Sequence, residues 1–186
     1  MKKSIIYLFS LAMLTTGAIS CSSTDSKDVA KDENADKFDS TDLKKDAVFA
    51  VNIADANMTE IKLGQLAQTY ATTAAAKELG AMMVNDHTKA EAELKTIADS
   101  DNISLPDSMS DKSTKKYNDL AAMHGMDFDK AFANIMVDDH KDAIAAFQTE
   151  ADKGNNDALK DWASKTLPAL QHHLDMSDSL KTLLDK

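Results

Sequence analysis

Arginine is absent: all 21 basic residues other than histidine are lysine, against 31 Asp and Glu. Arginine is the side chain suited to bidentate phosphate recognition. An acidic chain without it, at formal net charge -10, is a poor partner for nucleic acid. Cysteine occurs once, at Cys21, so no internal disulfide is possible and the fold relies on its core. Five Gly and two Pro leave few breaks for long helices. No apolar run is long enough to span a hydrocarbon core of roughly 30 Å as a helix. A Gly-rich phosphate loop, a nucleophile elbow and zinc-spaced cysteines are all missing.

The first twenty residues read as a secretory signal. Lys2 and Lys3 form a basic start, Ile5 to Leu14 is apolar apart from Ser10, and Thr15 to Ser20 is a small-residue stretch. Ala18-Ile19-Ser20-Cys21 resembles a bacterial lipobox. That resemblance implies cleavage before Cys21 and its lipidation, giving membrane attachment through two or more acyl chains. Anionic lipid would repel the acidic chain, so the acyl chains must do the anchoring. Ser22 in place of Asp points to the outer membrane by analogy with enterobacterial sorting, with the domain in the periplasm or at the cell surface. Residues 21–40, rich in Ser, Asp and Lys, are expected to form a flexible acidic tether.

Residues 41–186 are expected to form one all-α domain. Apolar periodicity predicts long helices over 42–71, 73–100, 127–153 and from about 157 to 184. A short helix is predicted over 112–124, with Gly125 as its stop and His124 as a charge at its end. A loop containing Leu105-Pro106 follows the second long helix. Four amphipathic helices suit one bundle. The long connection between the second and third can cross its length, as in ferritin-like bundles, whereas an up-down bundle needs no crossover. Pro168 inside the last helix removes one backbone donor and is expected to kink it. The methionines stand at core spacing, and Trp162 reads as a core or groove residue.

A partial repeat runs through the chain. Met83-Val84-Asn85-Asp86-His87 recurs as Met136-Val137-Asp138-Asp139-His140, which suggests duplicated helix pairs with His87 and His140 in related places. Both histidines lie on apolar stripes, as does His173, while His172 is turned about 100° away. Glu60 lies between apolar Ala56 and Leu63 on the first helix, and Glu91 stands one turn after His87. Glu60, His87, Glu91, His140 and His173 are therefore the candidate metal ligands. Neutral imidazole with carboxylate suits iron, zinc or copper. The competing reading makes each inward histidine a hydrogen-bonded core residue. The Glu-x-x-His signature of di-iron bundles is absent.

Several segments together resemble the bacterial exported proteins grouped as domain of unknown function 4142. They are Glu60 to Ala67, Met83 to His87, Leu105-Pro106, Phe128-Asp129, Met136 to His140 and Leu167 to Leu174. The resemblance covers about Asp46 to Leu183. It implies a ferritin-like four-helix bundle in the cell envelope and no established activity. Ala56-Asn57 stands where that family often has a Gly pair. With no catalytic motif, the sequence favours a non-enzymatic binding or interaction module. The alternative is a ferritin-like protein holding a transition metal through its inward Glu and His residues.

Overall fold

The computed structural model describes residues 25–186. Cys21 and the predicted signal segment lie outside them. Six α-helices are present and no strand occurs among the described residues: α1 (Ser26–Lys37), α2 (Thr41–Tyr70), α3 (Ala74–Ser100), α4 (Asp111–Ala121), α5 (Gly125–Lys153) and α6 (Asp157–Leu184). No helix among these residues is long and apolar enough to cross a membrane.

The helix starts follow from side-chain capping. Ser40, Thr73, Ser110 and Asn156 each accept a hydrogen bond from a first-turn N–H of the helix that follows. α6 continues through Pro168 to Leu184. Gly125 does not stop the short helix as expected. It opens α5 at φ +63°, a left-handed conformation that glycine adopts without Cβ strain. His124 accordingly precedes α5 instead of ending α4, and its ring stacks 5.8 Å from that of Tyr70.

Two apolar clusters form the core. One joins the N-terminal halves of α2 and α6 to the C-terminal halves of α3 and α5, through Phe49, Leu94, Phe147 and Trp162. The other joins the opposite halves, through Leu63, Leu79, Phe132, Met136 and Leu180. α2 and α6 therefore run one way, and α3 and α5 run the other. The connector with α4 carries the chain from the end of α3 to the start of α5 at the opposite end. α2 and α3 come close where Gly64 and Gly80 meet; a Cβ on Gly64 would lie 2.6 Å from the Gly80 carbonyl oxygen.

The two hairpins, α2–α3 and α5–α6, close on each other by the same device. Asp129 of α5 accepts the backbone N–H groups of Thr72 and Thr73 in the first hairpin's turn. Asp46 of α2 accepts those of Asn155 and Asn156 in the second's. Asp46 pairs with Asp129, and Thr72 with Asn155, at one constant offset, and Phe49 pairs with Phe132 at the same offset. The expected repeat links α3 to α5 instead, so it matches the second helix of one hairpin to the first of the other. His87 and His140 are not equivalent positions of the two hairpins: the counterpart of His140 is Asn57.

The stretch expected as a flexible tether is corrected over Ser26–Lys37, which is helical and packed on α2. Its anchorage is polar. Asn34 is buried, donating from Nδ2 to the Ser104 carbonyl (2.8 Å) and accepting the Ser104 N–H (2.7 Å). Lys27 pairs with the buried Asp55 at 3.0 Å. Asp55 also accepts the Ser110 N–H and the hydroxyls of Ser110 and Ser113. These bonds hold Asp55 below its ordinary range even though burial alone would raise it. α1 thereby straps the crossover onto α2.

Candidate metal centre

Between the two apolar clusters lies a polar layer around a cavity of about 290 Å³. Glu60, Asp86, His87, Asp139, His140 and His173 line it. His87 comes from α3, His140 from α5 and His173 from α6. All three are buried, and one ring nitrogen of each lies within 4.8 Å of the others. Ring centroids stand 5.2 to 5.7 Å apart.

Hydrogen-bond partners assign the tautomers. Asn57 donates from Nδ2 to Glu91 at 3.2 Å, which turns its Oδ1 toward His87 Nδ1 at 2.9 Å. That oxygen can only accept, so His87 carries its proton on Nδ1. His87 Nε2, buried and without a partner, bears the lone pair. His140 Nδ1 donates to the Met136 carbonyl at 2.8 Å, leaving its lone pair on Nε2. His173 Nε2 faces the Asp86 carboxylate at 3.1 Å, so in the neutral ring the lone pair is on Nδ1. Each imidazole thus has its N–H anchored and its lone pair free, the arrangement that outer partners impose on metal-binding histidines.

The free nitrogens of His140 and His173 face each other at 3.2 Å. Two neutral lone pairs at that distance repel unless a cation or a proton lies between them. Burial holds all three rings toward the neutral form. It lowers His87 to about 3, helped by His140 and His173, and His140 to about 4, against the Met136 carbonyl. His173 is lowered by burial too, with Asp86 opposing. At neutral pH the cluster offers three neutral nitrogen donors. Nitrogens about 2 Å from a tetrahedral ion lie about 3.3 Å apart. His140 and His173 already stand at that separation. Drawing His87 in requires a shift on the order of 1 Å.

Glu60 and Glu91 fall outside this convergent set. Glu91 bonds to Asn57 and orients His87 from behind; burial pushes its carboxyl up, with the Asn57 bond opposing. Glu60 is buried with Oε2 unpartnered, and burial with the neighbouring Asp139 carboxylate pushes it well above the usual carboxylate range. Lys116 of α4 pairs with Asp139 at 2.6 Å and partly offsets that. His172 is exposed, as its rotation from His173 predicts. Trp162 is buried beside Phe49 and Phe147 and donates to Glu93 at 3.0 Å.

Sequence reasoning passed over Asn57 and the reach of Asp86. Asn57 lies three residues before Glu60, one helical turn on the same face. A second polar residue inside that apolar stripe was the available signal. Asp86 stands next to His87 in the sequence, yet its carboxylate crosses to His173 on another helix.

No curated protein matches the chain, and no solved structure matches it. A family model described as "Domain of unknown function (DUF4142)" matches residues 30–180. The chain therefore belongs to that family.

Proposed function

We propose that this chain is an envelope lipoprotein, anchored through Cys21, whose ferritin-like four-helix bundle binds one transition-metal ion through His87, His140 and His173. The observation that carries the metal reading is the set of three anchored, neutral imidazoles whose free nitrogens converge in a buried space. Nitrogen donors without a thiolate suit iron, zinc or copper. The ferritin-like topology is supported by the shared direction of α3 and α5, which requires one long crossover. Binding without catalysis is enough to account for every residue of the cluster.

Dialysis of the mature chain, purified without an affinity tag, against zinc, copper or ferrous ion should leave about one equivalent bound of at least one of them. His87→Gln, His140→Gln and His173→Gln should each lose it. Substoichiometric metal that survives all three substitutions would overturn the assignment. For the anchor, Cys21→Ala should move the protein to the soluble fraction and abolish fatty-acid labelling; unchanged membrane fractionation would contradict the lipoprotein reading.

A second reading has a specific observation behind it. The line Asp86, His173, His140 would form a continuous hydrogen-bonded chain if His173 were cationic. In that case a proton takes the place of the metal, and the substitutions alter stability with no dependence on added ion.

A further inference from the structure

Resting on the metal reading, we propose that the three-histidine site keeps an open position toward the cavity, where a small exchangeable anion binds the ion and Glu60 hydrogen-bonds that anion. Closed structural sites of tetrahedral ions have four protein donors, whereas sites that exchange ligands have three. Among the described residues, three histidines converge and no fourth donor joins them. The adjoining cavity, about 290 Å³, is far larger than the space of about 30 Å³ that a water occupies in the liquid.

Charge points to an anion. Three neutral imidazoles set no charge directly against a divalent ion, leaving only the Asp86 carboxylate behind His173, and an anionic ligand on the ion offsets part of the remaining cost. The wall around the site is of mixed charge: Lys27 and Lys116 are paired with Asp55 and Asp139, and Lys112, Asp86 and Asp142 line it as well.

Glu60 supplies the second half of the assignment. Its Oε2 is a buried polar atom to which no donor of the cavity wall is hydrogen-bonded, and such atoms are rare in folded proteins. Ala90, Ala143 and Phe147 line the same wall and offer it no polar group, and the neighbouring Asp139 carboxylate is itself an acceptor, with both oxygens taken by Lys116. It lies outside the convergent nitrogen set, which fits a partner of the bound ligand better than a donor to the ion. Its carboxyl is held toward the protonated form, which can donate to an anion.

The test is an azide titration of the copper(II)-loaded mature chain, read by absorption and electron paramagnetic resonance. A copper spectrum should appear first, and azide should then add a saturable charge-transfer band. Glu60→Gln, which keeps a donor of the same shape, should retain both spectra with azide affinity within about threefold of the parent. Glu60→Leu should retain the copper spectrum and weaken azide by about tenfold or more, as expected for a lost hydrogen bond to a charged group. Circular dichroism of each variant checks that it folds, and the parent titration tests the open position without any variant. No copper spectrum in the parent would remove the metal reading itself. A copper spectrum indifferent to azide would show a closed site and overturn this inference alone. Loss of copper in both Glu60 variants would make Glu60 a ligand. Unchanged azide affinity in Glu60→Leu, or loss of azide in Glu60→Gln, would remove its assigned role.

Discussion

The hairpins α2–α3 and α5–α6 share a frame and differ at their centres. Asp46 and Asp129 each hold the other hairpin's turn by its backbone N–H groups, and Phe49 and Phe132 fill corresponding places in opposite core clusters. At mid-height the copies part. α5 has His140 where α2 has Asn57, α6 has His173 where α3 has Ala90, and α3 has His87 where α6 has Leu170. Turn N–H groups must be satisfied at both ends of the molecule, so that device is needed twice. Three imidazoles sharing one space are needed once. The first hairpin supplies the orienting amide and the cavity carboxyl in place of a second set of rings.

The largest expected effect lies in the frame. Phe132 is fully buried and Phe49 is 9 % exposed. Phe132→Ala should cost about 3–5 kcal/mol and Phe49→Ala less, by urea denaturation. A reversed order would break the correspondence drawn between the two clusters.

Next come the paired aspartates. Asp129→Ala and Asp46→Ala each remove a carboxylate that accepts two part-buried backbone N–H groups, and each should cost about 1–3 kcal/mol. One silent member would show that the hairpins are not closed by a common device. Against the burial that would raise it, Asp129 is held below its ordinary value of 3.8 by the Thr72 and Thr73 bonds. A depressed carboxyl stabilises the fold above its unfolded pKa, and that contribution is lost as pH falls through the folded value. Asp129→Asn should therefore flatten the acid limb of the stability profile below about pH 4.

A smaller effect sharpens the difference between the copies. Glu150 of α5 stands where α2 has Ala67. Burial first, and then the Asp46 carboxylate, raise it from 4.5 to about 7. The folded state thus holds this proton more tightly. The resulting stability is fully present below the ordinary value and declines as pH rises through 7. Glu150→Gln should remove that decline between pH 5 and pH 8 in denaturant titrations. An unchanged slope would place the titration elsewhere.

Much of the frame was legible in the sequence, because long helices with polar caps announce their own ends. Thr73 and Asn156 cap α3 and α6 beside the starts that apolar spacing predicts at 73 and about 157. The inward turn of His87, His140 and His173 followed from the same spacing. α1 was not legible, because its contacts are polar pairs made with residues far along the chain, such as Asn34 with Ser104. The hairpin correspondence was hidden by the stronger likeness between α3 and α5. Spacing also placed Glu60 and Glu91 toward the centre without revealing their partners. That depends on depth and rotamer, which a one-dimensional period does not carry. Gly125 misled for a related reason: a left-handed glycine serves a helix entrance here as readily as an exit.

The central claim is that His87, His140 and His173 are held as metal ligands and not as packing, and thermal unfolding with and without zinc tests it most directly. At pH 7 the folded rings are neutral and need not release protons to bind. Free ion a hundredfold above its dissociation constant should add about 2.7 kcal/mol to the stability of the protein. For a chain of this size that raises Tm by roughly 5–10 °C. His140→Gln should melt at the same temperature in zinc and in chelator. A parent protein whose Tm is indifferent to zinc, with His140→Gln destabilised equally under both conditions, would contradict the account.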